Sequence, residues 1–260
     1  MKQVYIIHEH HPKLLLLFAG WAADETLFRQ YHPQGMDYMI CYDYRTLDFD
    51  ESVFSRYRQV NVVAWSMGVW VASLILCNRP RKNIFSIAYN GSTRPISDPE
   101  GIPSKIFQGT LDGLTPASLQ KFLRRMCKDG NAYKAFMQIT PRRDFDEIKE
   151  ELRRIQEQYF ELAGAVENET DDEKPGKPFD EYFEKYHYEY DYTFVGLNDR
   201  IFPVDNLLCC YEGQDKGVVI VTNSAHYDES MFRFLLQDMW EMPIEDFMCH
   251  IKSIKVEYNR

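Results

Sequence analysis

Short apolar runs recur along this chain and alternate with stretches of helical pattern. Six of the runs are long enough to be strands, at 13–20, 37–44, 59–66, 83–91, 192–197 and 217–222, and a shorter strand-like run, VYII, precedes them. Residues 66–77 and 229–240 have the length and spacing of helices. Continuous apolar runs suit strands that are covered on both faces. The pattern therefore predicts an α/β fold with a mostly parallel sheet flanked by helices.

The middle of the chain has a different pattern. Between 96 and 188 no run predicts a strand, whereas 114–128 and 145–165 have helical patterns and 167–178 is polar and rich in helix breakers. We therefore expect residues 1–95 and 189–260 to form one core. Residues 96–188 would then be a helical insertion that covers an edge of the sheet as a lid.

Composition narrows the class of protein. The formal net charge of −10 makes nucleic acid an unfavourable partner for the chain as a whole. The six cysteines show no CxxC spacing, which indicates reduced thiols and a cytoplasmic protein.

The apolar stretch 62–77 is shorter than the roughly 20 residues that a membrane span needs. Residues 13–23 imitate the core of a signal peptide, but strand-like residues precede them. We expect neither a membrane partner nor secretion.

Ser66 stands between a predicted strand and a predicted helix, in the sequence AWSMG. This context is close to the nucleophile elbow G-x-S-x-G, in which a tight turn presents the serine hydroxyl at the edge of the sheet. Small residues are needed two positions before and after the serine. Gly68 meets that need, and Ala64 is small enough to replace the first glycine. Two other interpretations stay open: an N-cap serine, which is common, and a buried filler.

Two residues near the carboxyl end could complete a catalytic triad with Ser66. Asp199 follows the fifth predicted strand and His226 follows the sixth, in the chain order Ser, Asp, His that this elbow requires. The carboxyl ends of parallel strands are where open α/β sheets build their sites. Asp43 also follows a strand, but it precedes the serine and is the weaker candidate for the acid.

A serine nucleophile also needs donors for the oxyanion. The backbone N–H of Met67, directly after the serine, is one expected donor, and the backbone N–H of Trp21, in the loop after an early strand, is the other. The run from His8 to His11 lacks the HExxH spacing of a zinc site, and no GxGxxG or GxxxxGK[ST] motif occurs. We expect no metal and no cofactor.

The chain resembles a known family. The stretches FAGWAAD, AWSMGVW, YNGSTRPISDPEGIP with IFQGTLDGLT, FLRRMC, and GLNDRIFP with SAHYDE are similar to the BioG group of pimeloyl-[acyl-carrier-protein] methyl ester esterases, members of the α/β-hydrolase superfamily. The resemblance implies a serine carboxylesterase of biotin synthesis that hydrolyses the methyl ester of a pimeloyl chain on acyl carrier protein. It also implies that Ser66, Asp199 and His226 form the triad, and that Trp21 and Met67 form the oxyanion hole.

A basic face in the insertion bears on the partner. Lys121, Arg124, Arg125 and Lys128 have the spacing of one helix face, and between 120 and 154 ten Lys and Arg residues outnumber six Asp and Glu. Acyl carrier proteins are acidic, so this face would steer them. The alternative is an ordinary solvated helix face. We expect a monomer.

Two alternative functions remain. The first is another hydrolase of this fold that acts on small esters or acyl thioesters. The second is a non-catalytic binding protein on a hydrolase scaffold, which the presence of Ser66, Asp199 and His226 disfavours.

Overall fold

A computed structural model describes residues 1–162, 164, 186 and 188–258. Its strands form one sheet: β1 (Lys2–Ile7), β2 (Lys13–Phe18), β3 (Asp37–Tyr42), β4 (Gln59–Trp65), β5 (Ile84–Tyr89), β6 (Tyr192–Asn198) and β7 (Val218–Ala225). The order across the sheet is β1-β3-β2-β4-β5-β6-β7. Strand β1 pairs antiparallel with β3, and the other pairs are parallel. The predicted mostly parallel α/β sheet is therefore confirmed.

The central strands are buried on both faces, as their continuous apolar runs predict. Leu14 to Phe18 of β2 and Val60 to Trp65 of β4 are all buried. Strand β3 is buried along its whole length. The VYII run lies in β1, whose residues are exposed or only half-buried because it is an edge strand.

Helices connect and flank the strands. Within the described residues they are α1 (Val53–Arg56), α2 (Met67–Leu76), α3 (Ser104–Asp112), α4 (Pro116–Met126), α5 (Gly130–Phe136), α6 (Phe145–Leu162), α7 (Val204–Tyr211), α8 (Glu229–Leu236) and α9 (Ile244–Ile254). The helix predicted at 229–240 is divided, because Gln237 leaves helical geometry at φ −138° and ψ −68° and a short 3-10 turn, Asp238–Trp240, follows. None of the described helices has the length and apolar character to cross a membrane.

The insertion is helical where the structure describes it. Helices α3 to α6 all lie between β5 and β6 in the chain. The predicted loop at 167–178 lies outside the described residues. Helix α4 begins where the sequence indicates, since Thr115 caps it and Pro116 is its first residue. It ends at Met126, with Cys127 in an extended conformation. Lys128 therefore lies beyond the helix, and the prediction that it shares a helix face with Lys121 was wrong.

Chain topology determines where a site can form. From β2 the chain passes to β3 on one side and then to β4 on the other side of β2. The crevice beyond the carboxyl ends of β2 and β4 is thus a topological switch point, where ligands bind in sheets of this type. Helix α2 leaves β4 so close to β2 that a Cβ on Gly68 would lie 2.2 Å from the carbonyl oxygen of Phe18.

This contact makes Gly68 testable. We expect Gly68→Ala to lower the free energy of unfolding by about 1–3 kcal/mol, since the backbone of β2 must move to admit a methyl group. Gly109→Ala in α3 is the control: no atom lies within 4 Å of its Cβ position. It should cost nothing or gain about 0.5–1 kcal/mol through helix propensity. Urea denaturation of both variants measures the difference, and equal stability would contradict the close approach of α2 to β2.

Candidate active site

Ser66 occupies a strained turn between β4 and α2. Its backbone is at φ 59° and ψ −126°, a region that costs on the order of 1–3 kcal/mol for a residue with a side chain. The residue stands at the N-cap position of α2, but its side chain makes no capping hydrogen bond. Its Oγ instead lies 3.0 Å from Nε2 of His226. The serine is buried, yet its hydroxyl is directed toward a base and not used as a cap or a filler.

His226 connects the serine to a carboxylate. Its Nδ1 lies 2.8 Å from Oδ2 of Asp199, and both side chains are buried. The other oxygen of Asp199 accepts hydrogen bonds from the amides of Ile201 and Phe202, at 2.7 and 3.1 Å. The carboxylate is thereby fixed in orientation. With Nδ1 donating to Asp199, Nε2 faces Ser66 as an acceptor, which is the arrangement that a general base needs.

Two residues that the sequence did not single out hold this geometry. Trp65 donates its indole N–H to the carbonyl of His226 at 2.9 Å. Asn90, directly after β5, donates to the carbonyl of Ala225 at 2.7 Å and accepts from the amide of Gly196 at 2.7 Å. Asn90 thus joins the ends of β5, β6 and β7. The one available signal was a polar residue at a strand end, in YNGS.

The two expected oxyanion donors flank the serine. Met67 is the first residue of α2, where the amide has no acceptor within the helix. Trp21 lies in the loop after β2, and this loop passes so close to the serine that a Cβ on Gly20 would be 3.0 Å from Cβ of Ser66. Neither amide has a hydrogen-bond acceptor in the part of the chain that the structure describes. Both remain available to a ligand.

A mainly apolar pocket opens above Ser66 and His226. Its walls include Phe107 from α3, Phe122 from α4 and Leu152 from α6. Arg125 is the one charged group among the other described side chains that line it. The insertion therefore supplies one side of the pocket, and the ends of the strands supply the other.

Asp43, the weaker candidate for the acid, has other partners. Its carboxylate is bound by Arg45 at 2.6 and 2.7 Å and lies 3.1 Å from the guanidinium of Arg143. Burial alone would raise the pKa of Asp43, but the hydrogen bonds from Arg45 and the charges of Arg143 and Lys2 hold it below its usual range. Asp43 belongs to an ionic cluster beside β3, whereas Asp199 contacts the histidine.

The four basic residues that the sequence analysis assigned to one face are all exposed: Lys121, Arg124, Arg125 and Lys128. None of them has an acidic partner within ion-pair distance in the described residues. The arginines of α6 differ, because Arg153 pairs with Glu150 and Glu157, and Arg154 also pairs with Glu157. Uncompensated positive charge is thus concentrated on α4 and just after it, beside the pocket that Arg125 lines.

Among the described residues, no three His, Cys, Asp or Glu side chains come together as a metal site would require. In the histidine-rich turn, His8 stacks on Tyr5 and the amides of Glu9 and His11 donate to Asp37. The six cysteines, all within the described residues, form no disulfide bond with one another.

Comparison with known proteins identifies relatives. Residues 1–160 match the model of the family described as "Pimeloyl-ACP methyl esterase BioG". The chain is 49% identical over 221 residues to a protein of Bacteroides fragilis named "Malonyl-[acyl-carrier protein] O-methyltransferase", a match that covers 84% of this chain and 40% of that protein. The chain spans less than two thirds of the length of the curated relatives that it matches.

Solved structures extend the comparison. A crystal structure of BioG from Haemophilus influenzae superimposes with a TM-score of 0.73 at 31% identity, and the match covers 90% of this chain and 97% of that one. An esterase from Exiguobacterium antarcticum has a TM-score of 0.62 at 12% identity, with 96% and 94% of the chains covered. The second likeness shows the α/β-hydrolase fold alone.

The first test of the site concerns Ser66. A fluorophosphonate should react covalently with the parent protein, because Oγ is paired with His226. Ser66→Ala should abolish this labelling and lower turnover of an ester by roughly 10³-fold or more while the fold survives. Intact mass spectrometry detects the adduct. Labelling of the alanine variant at the parent rate would exclude Ser66 as the nucleophile.

The second test concerns the acid. Asp199→Asn should lower kcat by a factor on the order of 10⁴, because an amide favours the wrong tautomer of His226. Asp228→Asn is a matched control. Asp228 lies two residues after His226, but its side chain caps α8, and asparagine caps a helix equally well. Its kcat should stay within about twofold of the parent value. Comparable losses in the two variants would contradict the assignment of Asp199.

Proposed function

Because the chain belongs to the BioG family of pimeloyl-ACP methyl esterases, we propose that it is a serine esterase that hydrolyses the methyl ester of a pimeloyl chain held on acyl carrier protein. The observation that carries the proposal is the contact of Ser66 Oγ with Nε2 of His226, whose Nδ1 contacts Asp199. The expected role is in biotin synthesis. The absence of a disulfide bond among the six cysteines, all of which the structure describes, supports a cytoplasmic location.

The proposed reaction follows the geometry. His226 takes the proton of Ser66 as Oγ attacks the ester carbonyl, and Asp199 orients the imidazole and stabilises its charged form. The amides of Trp21 and Met67 hold the tetrahedral oxyanion, each contributing roughly 3 kcal/mol by analogy with measured oxyanion holes. The proton passes to the leaving methoxide, and methanol departs. Water activated by His226 then attacks the acyl-enzyme and frees the terminal carboxylic acid.

The pocket supports an acyl chain as substrate. Its apolar walls suit methylene groups, since burial of each is worth about 0.8 kcal/mol. The Bacteroides fragilis relative offers a chemical parallel. A methyltransferase that acts on a carrier-bound malonyl group produces a carrier-bound methyl ester, and that is the class of substrate proposed here. We do not assign methyl transfer to this chain, because most of that relative lies outside the match.

We propose that residues 96–188 act as a lid and hold the carrier protein. Helix α4 carries Lys121, Arg124 and Arg125, Lys128 follows it, and Arg125 lines the pocket. A carrier protein that docks on this face would have its acyl chain directed at the pocket. Complementary charge acts mainly on the rate of encounter, so the docking should depend on salt.

The runner-up function is hydrolysis of small free esters, which the fold of the Exiguobacterium antarcticum esterase makes reasonable. The two functions differ in what the basic face contributes. A small ester needs the triad but no docking surface, whereas a carrier-bound substrate needs both.

Charge reversal separates these functions. We expect the triple change of Lys121, Arg124 and Lys128 to Glu to lower kcat/KM for the carrier-bound methyl ester by about 10- to 10³-fold at low salt. Hydrolysis of a small p-nitrophenyl ester should stay within about twofold, because the triad lies on the sheet. Arg125 is left unchanged because it lines the pocket. Added salt should slow the parent enzyme only with the carrier-bound substrate.

The control is the same change of charge on the opposite edge of the sheet. Lys13, Lys82 and Lys216 are exposed and precede or begin β2, β5 and β7. Their change to Glu should leave the carrier-bound reaction nearly unaffected. Equal losses in the two triple variants would mean that net charge alone matters. An effect of neither would mean that the basic face is a solvated surface and that the carrier protein docks elsewhere. Activity on a free methyl ester with none on the carrier-bound ester would favour small esters as the substrate class.

A further inference from the structure

The loop that carries Trp21 is held from the insertion as well as from the sheet. The indole N–H of Trp21 donates to the carbonyl of Ile148 in α6 at 2.8 Å. The carboxylate of Asp24, at the end of the same loop, accepts from the amide of Arg142, just before α6, at 2.7 Å. Contacts between residues more than a hundred positions apart thus fix both ends of a short loop next to Ser66.

Glu151 makes the central contact with this loop. One oxygen of its carboxylate accepts from the amide of Ala22 at 3.3 Å, and the other accepts from the amide of Tyr44 at 2.9 Å. Arg143 donates to the first oxygen at 2.6 Å. Glu151 has no exposed surface, and the side chain of Arg143 is only 4% exposed. A single side chain of α6 therefore joins the loops that follow β2 and β3.

The burial of this carboxylate is costly. Burial raises the pKa of Glu151, and the charge of Arg143 and the amides of Tyr44 and Ala22 oppose the shift only in part. A buried pair of this kind is weak in net stability, and apolar residues of similar volume often replace such pairs without loss. What an apolar side chain could not supply is two hydrogen-bond acceptors at fixed positions. Glu151 supplies both.

The loop needs such an anchor. Ala22 has φ +66°, a left-handed conformation that costs roughly 1–2 kcal/mol for a residue with a Cβ and persists where the surroundings hold it. Its amide belongs to the peptide that directly follows Trp21. The indole of Trp21 is bound to Ile148, and the peptide after Trp21 is bound to Glu151. The peptide before it, which carries the Trp21 N–H, is held through the carbonyl of Gly20, which accepts from the amide of Ala23 at 3.2 Å. These contacts together fix the direction of the Trp21 N–H.

We propose that Glu151 is a positioning residue for the oxyanion site, because its carboxylate holds the loop that aims the Trp21 amide. This inference rests on the proposed function, in which that amide is an oxyanion donor. If Glu151 has this role, different parts of the insertion matter for different substrates. Any ester, however small, depends on α6, whereas only the carrier-bound substrate depends on Lys121, Arg124 and Lys128.

The test is Glu151→Gln, which keeps the shape of the side chain but replaces one acceptor by a donor that faces an N–H group. We expect kcat for a p-nitrophenyl ester to fall by about 10- to 100-fold, somewhat less than for a deleted donor, because the amide is displaced and not removed. KM should change by less than about threefold. Affinity for a trifluoromethyl ketone, whose adduct with Ser66 carries an oxyanion, should fall in parallel with kcat.

Glu147→Gln is the matched control. Glu147 also lies in α6 and pairs with an arginine, Arg45, at 2.9 Å, but no hydrogen bond or ion pair joins it to the loop in the described residues. Its kcat and its affinity for the ketone should match those of the parent.

If Glu151→Gln proves unfolded, Glu151→Asp is the second variant to test. It retains the charge beside Arg143 but is one methylene too short to reach both amides. It should show the same loss of kcat with KM retained.

The outcomes are distinguishable from those of the proposed function. Full activity and ketone affinity in folded Glu151→Gln or Glu151→Asp, with Ser66→Ala inactive, would overturn the positioning role alone. Activity of Ser66→Ala equal to that of the parent would overturn the proposed function itself. A loss in Glu147→Gln equal to that in Glu151→Gln would assign the effect to the stability of α6 and would also overturn the role.

Discussion

The turn at Ser66 is the constraint on which the site depends. Its backbone conformation is unfavourable by itself and persists because neighbours hold it: the amide of Ser66 donates to Tyr89 at 3.1 Å, and a Cβ on Gly91 would be 2.3 Å from the serine carbonyl. The turn keeps the hydroxyl from capping α2 and leaves the Met67 amide free. The strained turn, the base and the free amide thus depend on one packing arrangement where β4 meets α2.

The surrounding contacts extend this arrangement to three further strand ends. Asn90 joins β5 to β6 and β7, and the amide of Ser66 is bound to the carbonyl of Tyr89 at the end of β5. The strands that precede Asp199 and His226 are therefore fixed relative to the turn that carries the serine. Glu151 performs a similar connection on the other side, between the loops after β2 and β3. These contacts therefore hold the triad and the Trp21 loop in place, where the charges of the imidazolium and the oxyanion would develop. The insertion builds one side of the pocket above the site, and we expect that side to determine substrate preference.

Much of the fold could be predicted from sequence because burial on both faces leaves continuous apolar runs, and the strand ends then placed Asp199 and His226 near Ser66. Strand order could not be predicted, since pairing between distant segments leaves no local pattern. Lys128 was misplaced because the extended conformation of Cys127 ends α4 early. Glu151 was missed because a glutamate in EELRR looks like a solvated helix residue, and only tertiary packing buries it against Arg143.

The bond that we propose this chain cleaves is the acyl–oxygen bond of a carrier-bound methyl ester. Turnover of pimeloyl-carrier methyl ester in water labelled with oxygen-18, followed by mass spectrometry, tests this proposal most directly. The label should enter the new terminal carboxylate, the methanol should be unlabelled, and the thioester to the carrier should stay intact. Cleavage of the thioester, or label in the methanol, would contradict it.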